Sequence, residues 1–400
     1  VLHVELDRPI EQSALLELLH DPGLRTLFFD HYRAHRSRLS VGLSVSSGRR
    51  CRTRAQATSL SWGHDAVSPP RRGPHVNRLT RAFMRLFAAP RLNMREDYEK
   101  VRRFQRQLAA LPAPRYQALD QQITSDDGNR QIPVRVFQPK EQRRDEVLLF
   151  FHGGGWVTGD IESYTPACAT MADLTGCVVA SVDYRLAPEH PFPAGLEDCT
   201  RVTRLLLEDP GRVGVADTDR IVLVGDSAGG NLAAAVSLQL REEGRRGADR
   251  QILLYPVTHW DHDPRTSPFA SVRQHGDDYR LTNTEVQDYF DLYVPDPERR
   301  RDPLVAPLTA TDLAGQPRTL LITAELDLLR DEGEAYGRAL EAAGNEVRIH
   351  RVDEALHGFI ALPRFSRSLR EGYEVINAFL DGADADPESD AHRAEPEDPR

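Results

Sequence analysis

Gly225-Asp226-Ser227-Ala228-Gly229 lies directly after the apolar run IVLV and directly before AGGNLAAAVSLQL. A serine flanked by glycines at a strand-to-helix junction sits in a tight turn, because larger neighbours there would strike backbone, and the turn presents its hydroxyl as a nucleophile. The bland alternative is a helix N-cap supplied by Asp226 or Ser227. The strand pattern before the serine and the helix pattern after it favour the nucleophile. Upstream, VLLFF ends in His152-Gly153-Gly154-Gly155-Trp156. Three glycines after a buried strand leave N–H groups unobstructed, which suits them to the negative oxygen that develops when a carbonyl is attacked. A phosphate loop would need Lys followed by Ser or Thr, and a dinucleotide loop would need G-x-G-x-x-G; neither is present. The expected oxyanion donors are the N–H groups of Gly153, Gly154 and Ala228, with His152, Gly155 and Asp226 supporting the two motifs.

A serine hydroxyl is a poor nucleophile at neutral pH and needs a base, which in turn needs a carboxylate to orient it. Beyond Ser227, the end of the run TLLITAE offers Glu325, Asp327 and Asp331, and the run VRIHRV is followed by His357 in ALHGF. His350 falls inside its strand, where the sheet would fix its ring, and reads as an ordinary strand residue. Asp327 and His357 sit just past strand ends, where loops can turn two side chains toward each other. Asp353 and Glu354 share the loop of the histidine and are expected to be solvated.

These residues need a frame. YQALDQQITS and QIPVRVFQP flank the turn signal Asp127-Gly128-Asn129 and read as a hairpin. Strand-like runs at 147–151, 177–184, 221–225 and 252–256, then TLLITAE and 347–352, alternate with helical stretches near 164–175, 194–208, from Ala228, 331–343 and 366–380. A polar and aromatic interlude runs to about residue 300. Such alternation predicts an α/β fold, a mostly parallel sheet with helices on both faces. Leu79, Phe83 and Leu86, then Val101, Phe104, Leu108 and Leu111, recur at helical spacing and predict two amphipathic helices before the hairpin.

HGGGW, DYRLAPEHPFPA (Asp183 to Ala194), GDSAGGN, ELDLLRDEG (325–333) and HGF, in that order, resemble the bacterial hormone-sensitive-lipase family of α/β-hydrolase esterases. The resemblance spans about residues 76–380. It implies an α/β-hydrolase fold with an N-terminal helical cap (76–112), Ser227 as nucleophile, Asp327 as triad acid and His357 as base. It also implies that Arg185 and Glu189 pair to support the site. Family members commonly carry Pro after the triad acid; here the residue is Leu328. The activity implied is hydrolysis of short-chain esters, acetyl to hexanoyl, through an acyl-enzyme, with no metal or organic cofactor. An amidase or acyltransferase would use the same acyl-enzyme. Plant hormone receptors resembling the family bind a small molecule without the triad histidine, and His357 argues against that role.

Composition bounds the rest. The chain has 400 residues, 40% hydrophobic and 28% charged, with net charge −10, and 49 of its 51 basic residues are Arg. Residues 31–75 hold nine Arg against Asp65 alone, giving +8, while 381–400 hold eight acids against two Arg, giving −6. The remainder is therefore −12, which disfavours nucleic acid as a partner. The apolar runs are far shorter than the roughly 20 residues a spanning helix requires, so stable membrane association is not expected. The first residues lack the pattern of a secretory signal, and a cytoplasmic location is expected. Residues 1–75 are expected to be a disordered Arg-rich extension, with Met84 or Met94 as an alternative translation start, and 381–400 a disordered acidic tail. Cys51, Cys168, Cys177 and Cys199 show no metal spacing and read as free thiols. The expected partner is a small-molecule ester, and a homodimer is the assembly left open.

Overall fold

Eight strands form one sheet in the computed structural model, which describes residues 93–109, 116, 118–213, 220–277 and 280–382. They are β1 (Ala118–Thr124), β2 (Gln131–Phe137), β3 (Val147–Phe151), β4 (Val178–Val182), β5 (Ile221–Asp226), β6 (Arg250–Leu254), β7 (Arg318–Leu326) and β8 (Val347–Leu356). Their order across the sheet is β1-β2-β4-β3-β5-β6-β7-β8. β1 and β2 form the predicted hairpin, β2 runs antiparallel to β4, and every other pairing is parallel.

The helices are α1 (Met94–Ala109), α2 (Ile161–Thr175), α3 (Ala194–Glu208), α4 (Ala228–Glu242), α5 (Ala270–His275), α6 (Asn283–Tyr293), α7 (Arg330–Ala342) and α8 (Arg367–Leu380). β3 shows why both faces of the sheet must be covered. All five of its side chains are buried, and alternation sends them to two separate cores. Val147, Leu149 and Phe151 join the core packed by α3, α4 and α7. Leu148 and Phe150 join the core packed by α2 and α8.

The sequence missed one region and misread one boundary. The interlude after β6 contains α5 and α6; α6 begins at a capping box in which Thr282 and Glu285 bond reciprocally to each other's backbone N–H. β8 runs on to Leu356 across an irregularity opposite Ala324 and Leu326. Asp353 and Glu354 are therefore strand residues, and Glu354 carries a φ of 57° at the kink. Of the two helices expected before the hairpin, α1 is described. The one over Leu79–Leu86, the extension 1–75, Cys51 and all of the acidic tail beyond Gly382 lie outside the described residues. Among the described residues, no helix is long and apolar enough to cross a membrane, and Cys168, Cys177 and Cys199 are buried free thiols.

Candidate active site

β5 is buried at every position and α4 is buried nearly all round, so the junction between them has no room to relax. A Cβ on Gly225 would lie 2.1 Å from the carbonyl oxygen of Gly229, and one on Gly229 would lie 1.9 Å from that of Phe151. Backbone cannot yield to such contacts, and this is the physical demand behind the G-x-S-x-G spacing. Ser227 itself adopts φ 55° and ψ −118°, a strained conformation for a residue with a side chain.

The turn aims Ser227 Oγ at His357, 2.9 Å from Nε2. The other ring nitrogen, Nδ1, lies 2.6 Å from Asp327 Oδ2. A carboxylate only accepts, so Nδ1 carries the proton and Nε2 is left to accept from the serine hydroxyl. Asp327 is buried, and its second oxygen accepts the N–H of Leu329 at 3.0 Å. The rival acids are committed elsewhere. Asp331 accepts from Ser271 N and from the Arg330 guanidinium, both at 2.8 Å, and Glu325 Oε2 accepts the Glu354 N–H at 2.7 Å. His350 bonds to Glu371 at 3.1 Å, as expected of a strand residue outside the site. Tyr255, just past β6, packs edge-on against the His357 ring with centroids 4.9 Å apart.

The glycine loop differs from expectation at one position. Gly153 does not offer its N–H to a substrate: it donates to Asp226 Oδ1 at 2.7 Å. That bond ties the loop after β3 to the elbow after β5, and Tyr164 from α2 donates to Asp226 Oδ2 at 3.2 Å. The donors with no acceptor among the described residues are instead Gly154, Gly155 and Ala228, the last at the first position of α4, where no intrahelical partner exists. Gly154 and Gly155 have φ of 111° and 60°, which a side chain would resist.

His152 and Asp226 hold this arrangement from below. The His152 ring is buried, lies 2.8 Å through Nδ1 from the Gly153 carbonyl, and stacks on Tyr184 at 4.3 Å. Burial lowers its pKa, so it stays neutral. Burial pushes the Asp226 carboxyl up to about 6 against the opposing pull of the Gly153 N–H, His357 and Tyr164.

The Arg185–Glu189 pair expected from the resemblance does not form. Arg185 binds Asp198 through Nε at 3.0 Å and Glu197 through Nη2 at 3.1 Å. Glu189 is taken by Arg102 of α1, whose two terminal nitrogens meet its two oxygens at 2.9 and 3.0 Å.

Two further features escaped the sequence. Glu332, fully buried in α7, accepts from Thr258 N at 2.8 Å and lies 2.7 Å from His262 Nε2. It thereby pins the loop whose Val257 N–H reaches the Ser227 carbonyl at 3.4 Å. Tyr289 of α6 covers the glycine loop, its ring 2.2 Å from where a Gly155 Cβ would stand. The Thr282-x-x-Glu285 capping signal could have revealed α6; nothing local marks Glu332 as different from the other acids of its helix. Among the described residues, no cluster of His, Cys, Asp and Glu could hold a metal ion.

A nucleophile elbow, an aligned histidine and carboxylate, and a glycine loop on one mostly parallel sheet define a hydrolase of the α/β class. Residues 148–361 match the family described as the alpha/beta hydrolase fold. The chain is 34% identical to esterase LipI of Mycobacterium tuberculosis over 301 residues, 73% of this chain and 92% of that one. It is 33% identical to an ethyl acetate hydrolase of Pseudomonas putida, over 64% of this chain and 80% of the relative. The crystal structure of a Pyrobaculum calidifontis esterase superposes with a TM-score of 0.66 at 32% identity, covering 77% of this chain and 99% of that one. The chain belongs to the α/β-hydrolase family, in its hormone-sensitive-lipase-like branch, and is a carboxylic ester hydrolase.

Proposed function

We propose that the protein is a serine carboxylesterase for short acyl esters, with Ser227, His357 and Asp327 as its triad. The observation that carries this is the unbroken chain from Ser227 Oγ to His357 Nε2 (2.9 Å) and from Nδ1 to Asp327 Oδ2 (2.6 Å). His357 takes the serine proton as Oγ attacks the ester carbonyl, and Asp327 stabilises the imidazolium that results. The N–H groups of Gly154, Gly155 and Ala228 hold the oxyanion. His357 then gives its proton to the departing alcohol, leaving an acyl-serine. Water, deprotonated by the same imidazole, releases the acid and restores the hydroxyl. Every step is carried by side chains and backbone of this chain.

Short acyl groups, acetyl to hexanoyl, are favoured by the bulk of the Tyr289 ring, which stands against Gly155 beside the oxyanion donors. The relative named ethyl acetate hydrolase supports the same size class. We place the enzyme in the cytoplasm, where its buried free thiols stay reduced.

The test is Ser227→Ala assayed on p-nitrophenyl acetate and butyrate. Turnover should fall by about 10⁵-fold or more with unchanged circular dichroism, and mass spectrometry should lose the acyl adduct that a slow substrate leaves on the native chain. Full activity in the variant would remove Ser227 as the nucleophile.

A further inference from the structure

α6 crosses the site, and contacts near its two ends fix what lies between them. Toward its C-terminal end, Tyr289 rests on Gly155 of the glycine loop. Just before its N-terminus, Arg280 reaches the carbonyl of Gly358, the residue after His357, at 3.5 Å, and its guanidinium carbon stands 3.4 Å from where a Gly358 Cβ would be. Glu285 is one turn before Tyr289 and so shares its face of the helix. It therefore faces the space between the glycine loop and the His357 loop. Its carboxylate is half-buried, and only Oε2 is used, accepting Thr282 N at 2.8 Å and Thr282 Oγ1 at 2.9 Å. Oε1 has no partner among the described residues. Burial raises this carboxyl while the nearby His357 opposes the rise, which agrees with its placement beside the base.

Oε1 is not fully enclosed, so a donor that enters the site can reach it, and a hydrogen bond to a charged acceptor is among the stronger ones. The imidazole beside it is the group that protonates the leaving alcohol, so the unmatched oxygen belongs to the alcohol side of the site. We propose that Glu285 is a specificity-determining residue that accepts a hydrogen bond from a hydroxyl on the alcohol portion of the substrate, making this an esterase for monoacylated diols and polyols. The proposal rests on the triad reading above and refines it: the acyl side stays short, and the alcohol side is hydroxylated.

The discriminating pair is 2-hydroxyethyl butyrate and propyl butyrate, equal in size and differing by a hydroxyl for a methyl. The native chain should show kcat/KM about tenfold or more higher for the hydroxyethyl ester, as a bond to a charged acceptor allows. Glu285→Met should bring the ratio to about one. Loss of the helix cap alone would lower both esters together and leave the ratio standing. Should Glu285→Met fail to fold, Glu285→Gln keeps a carbonyl for Thr282 and replaces the charged acceptor by a neutral amide, so the ratio should fall at least threefold. A ratio near one in the native chain, or one that survives these substitutions, overturns the role of Glu285 while leaving the esterase intact. Failure of the native chain to cleave either ester overturns the proposal, and failure on the p-nitrophenyl esters as well would reach the triad reading itself.

Discussion

The elbow and the cap helix α1 are held by opposite means. At the elbow, shape decides: Gly225, Gly229 and Phe151 approach at distances that admit no Cβ, and α4 is enclosed by apolar neighbours. α1 has Met94 as its one fully buried described side chain, and Phe104 is 39% exposed. Its attachments are polar. Arg95 binds Asp288 (2.8 Å) and Asp291 of α6, Arg106 binds Asp160, and Gln105 accepts from Gly159 N at 3.1 Å. Arg102 donates to the carbonyls of Val157 (2.7 Å) and Ala187 (2.8 Å) as well as to Glu189. The chemistry thus sits on a frame that tolerates almost no change. The element over it is fastened by charges, whose attraction water and salt weaken.

The comparison breaks most sharply at Gly229. Gly229→Ala forces a methyl into the carbonyl of Phe151, with no side chain able to move aside. Unfolding free energy should drop by about 4 kcal/mol, measured by urea denaturation, and the ester activity of whatever folds should fall steeply. A near-neutral result would mean that the elbow is as pliable as the cap.

Asp226 tests the elbow through pH. Its folded pKa, raised to about 6 from 3.8, means that the native state binds the proton more tightly than the unfolded chain. The associated stability is fully present below about pH 4 and is lost as pH rises through about 6. Asp226→Asn keeps an acceptor for Gly153 N–H and removes the charge. The variant and native chains should be similar near pH 4, and the variant should be more stable at pH 7 by of order 3 kcal/mol, the worth of two pKa units. Urea midpoints at successive pH values would show it; equal stability at pH 7 would mean that the carboxylate is better solvated than its burial implies.

Arg102→Ala should have the smallest effect on the frame. Stability of the sheet should change by about 1 kcal/mol or less, while KM for butyrate esters rises several-fold with kcat nearly kept. Raising salt to 1 M should weaken the native chain in the same direction and affect the variant less. A loss of kcat instead of binding would place α1 in the machinery rather than over it.

Much of this was legible in the sequence because the key signals are local. The G-x-S-x-G elbow needs five adjacent residues and their flanking strand and helix, and the order of strands and helices follows from apolar runs and turn residues. The hairpin turns where Asp127-Gly128-Asn129 predicted, with Gly128 at φ 73°. Other features resisted. Glu325, Asp327 and Asp331 are chemically alike at the end of one strand, and the residues alone could not choose among them. α6 has weak periodicity because its polar side chains Asp288 and Asp291 turn to Arg95 of α1, and Glu285 to the helix's own cap at Thr282, rather than to bulk water.

The sequence by itself determined the class of chemistry, the elbow around Ser227 and the mostly parallel α/β frame, since each is written in residues close together along the chain. Only the tertiary structure decided that Gly153 serves Asp226 and leaves Gly155 as a donor, that Arg185 pairs with Asp198 while Glu189 goes to Arg102, and that Glu332 holds the loop after β6 through Thr258 and His262. These partners lie 13 to 87 residues apart, from Arg185–Asp198 to Arg102–Glu189. A hydrogen bond or ion pair is selected by distance and direction in space, which spacing along the chain does not carry.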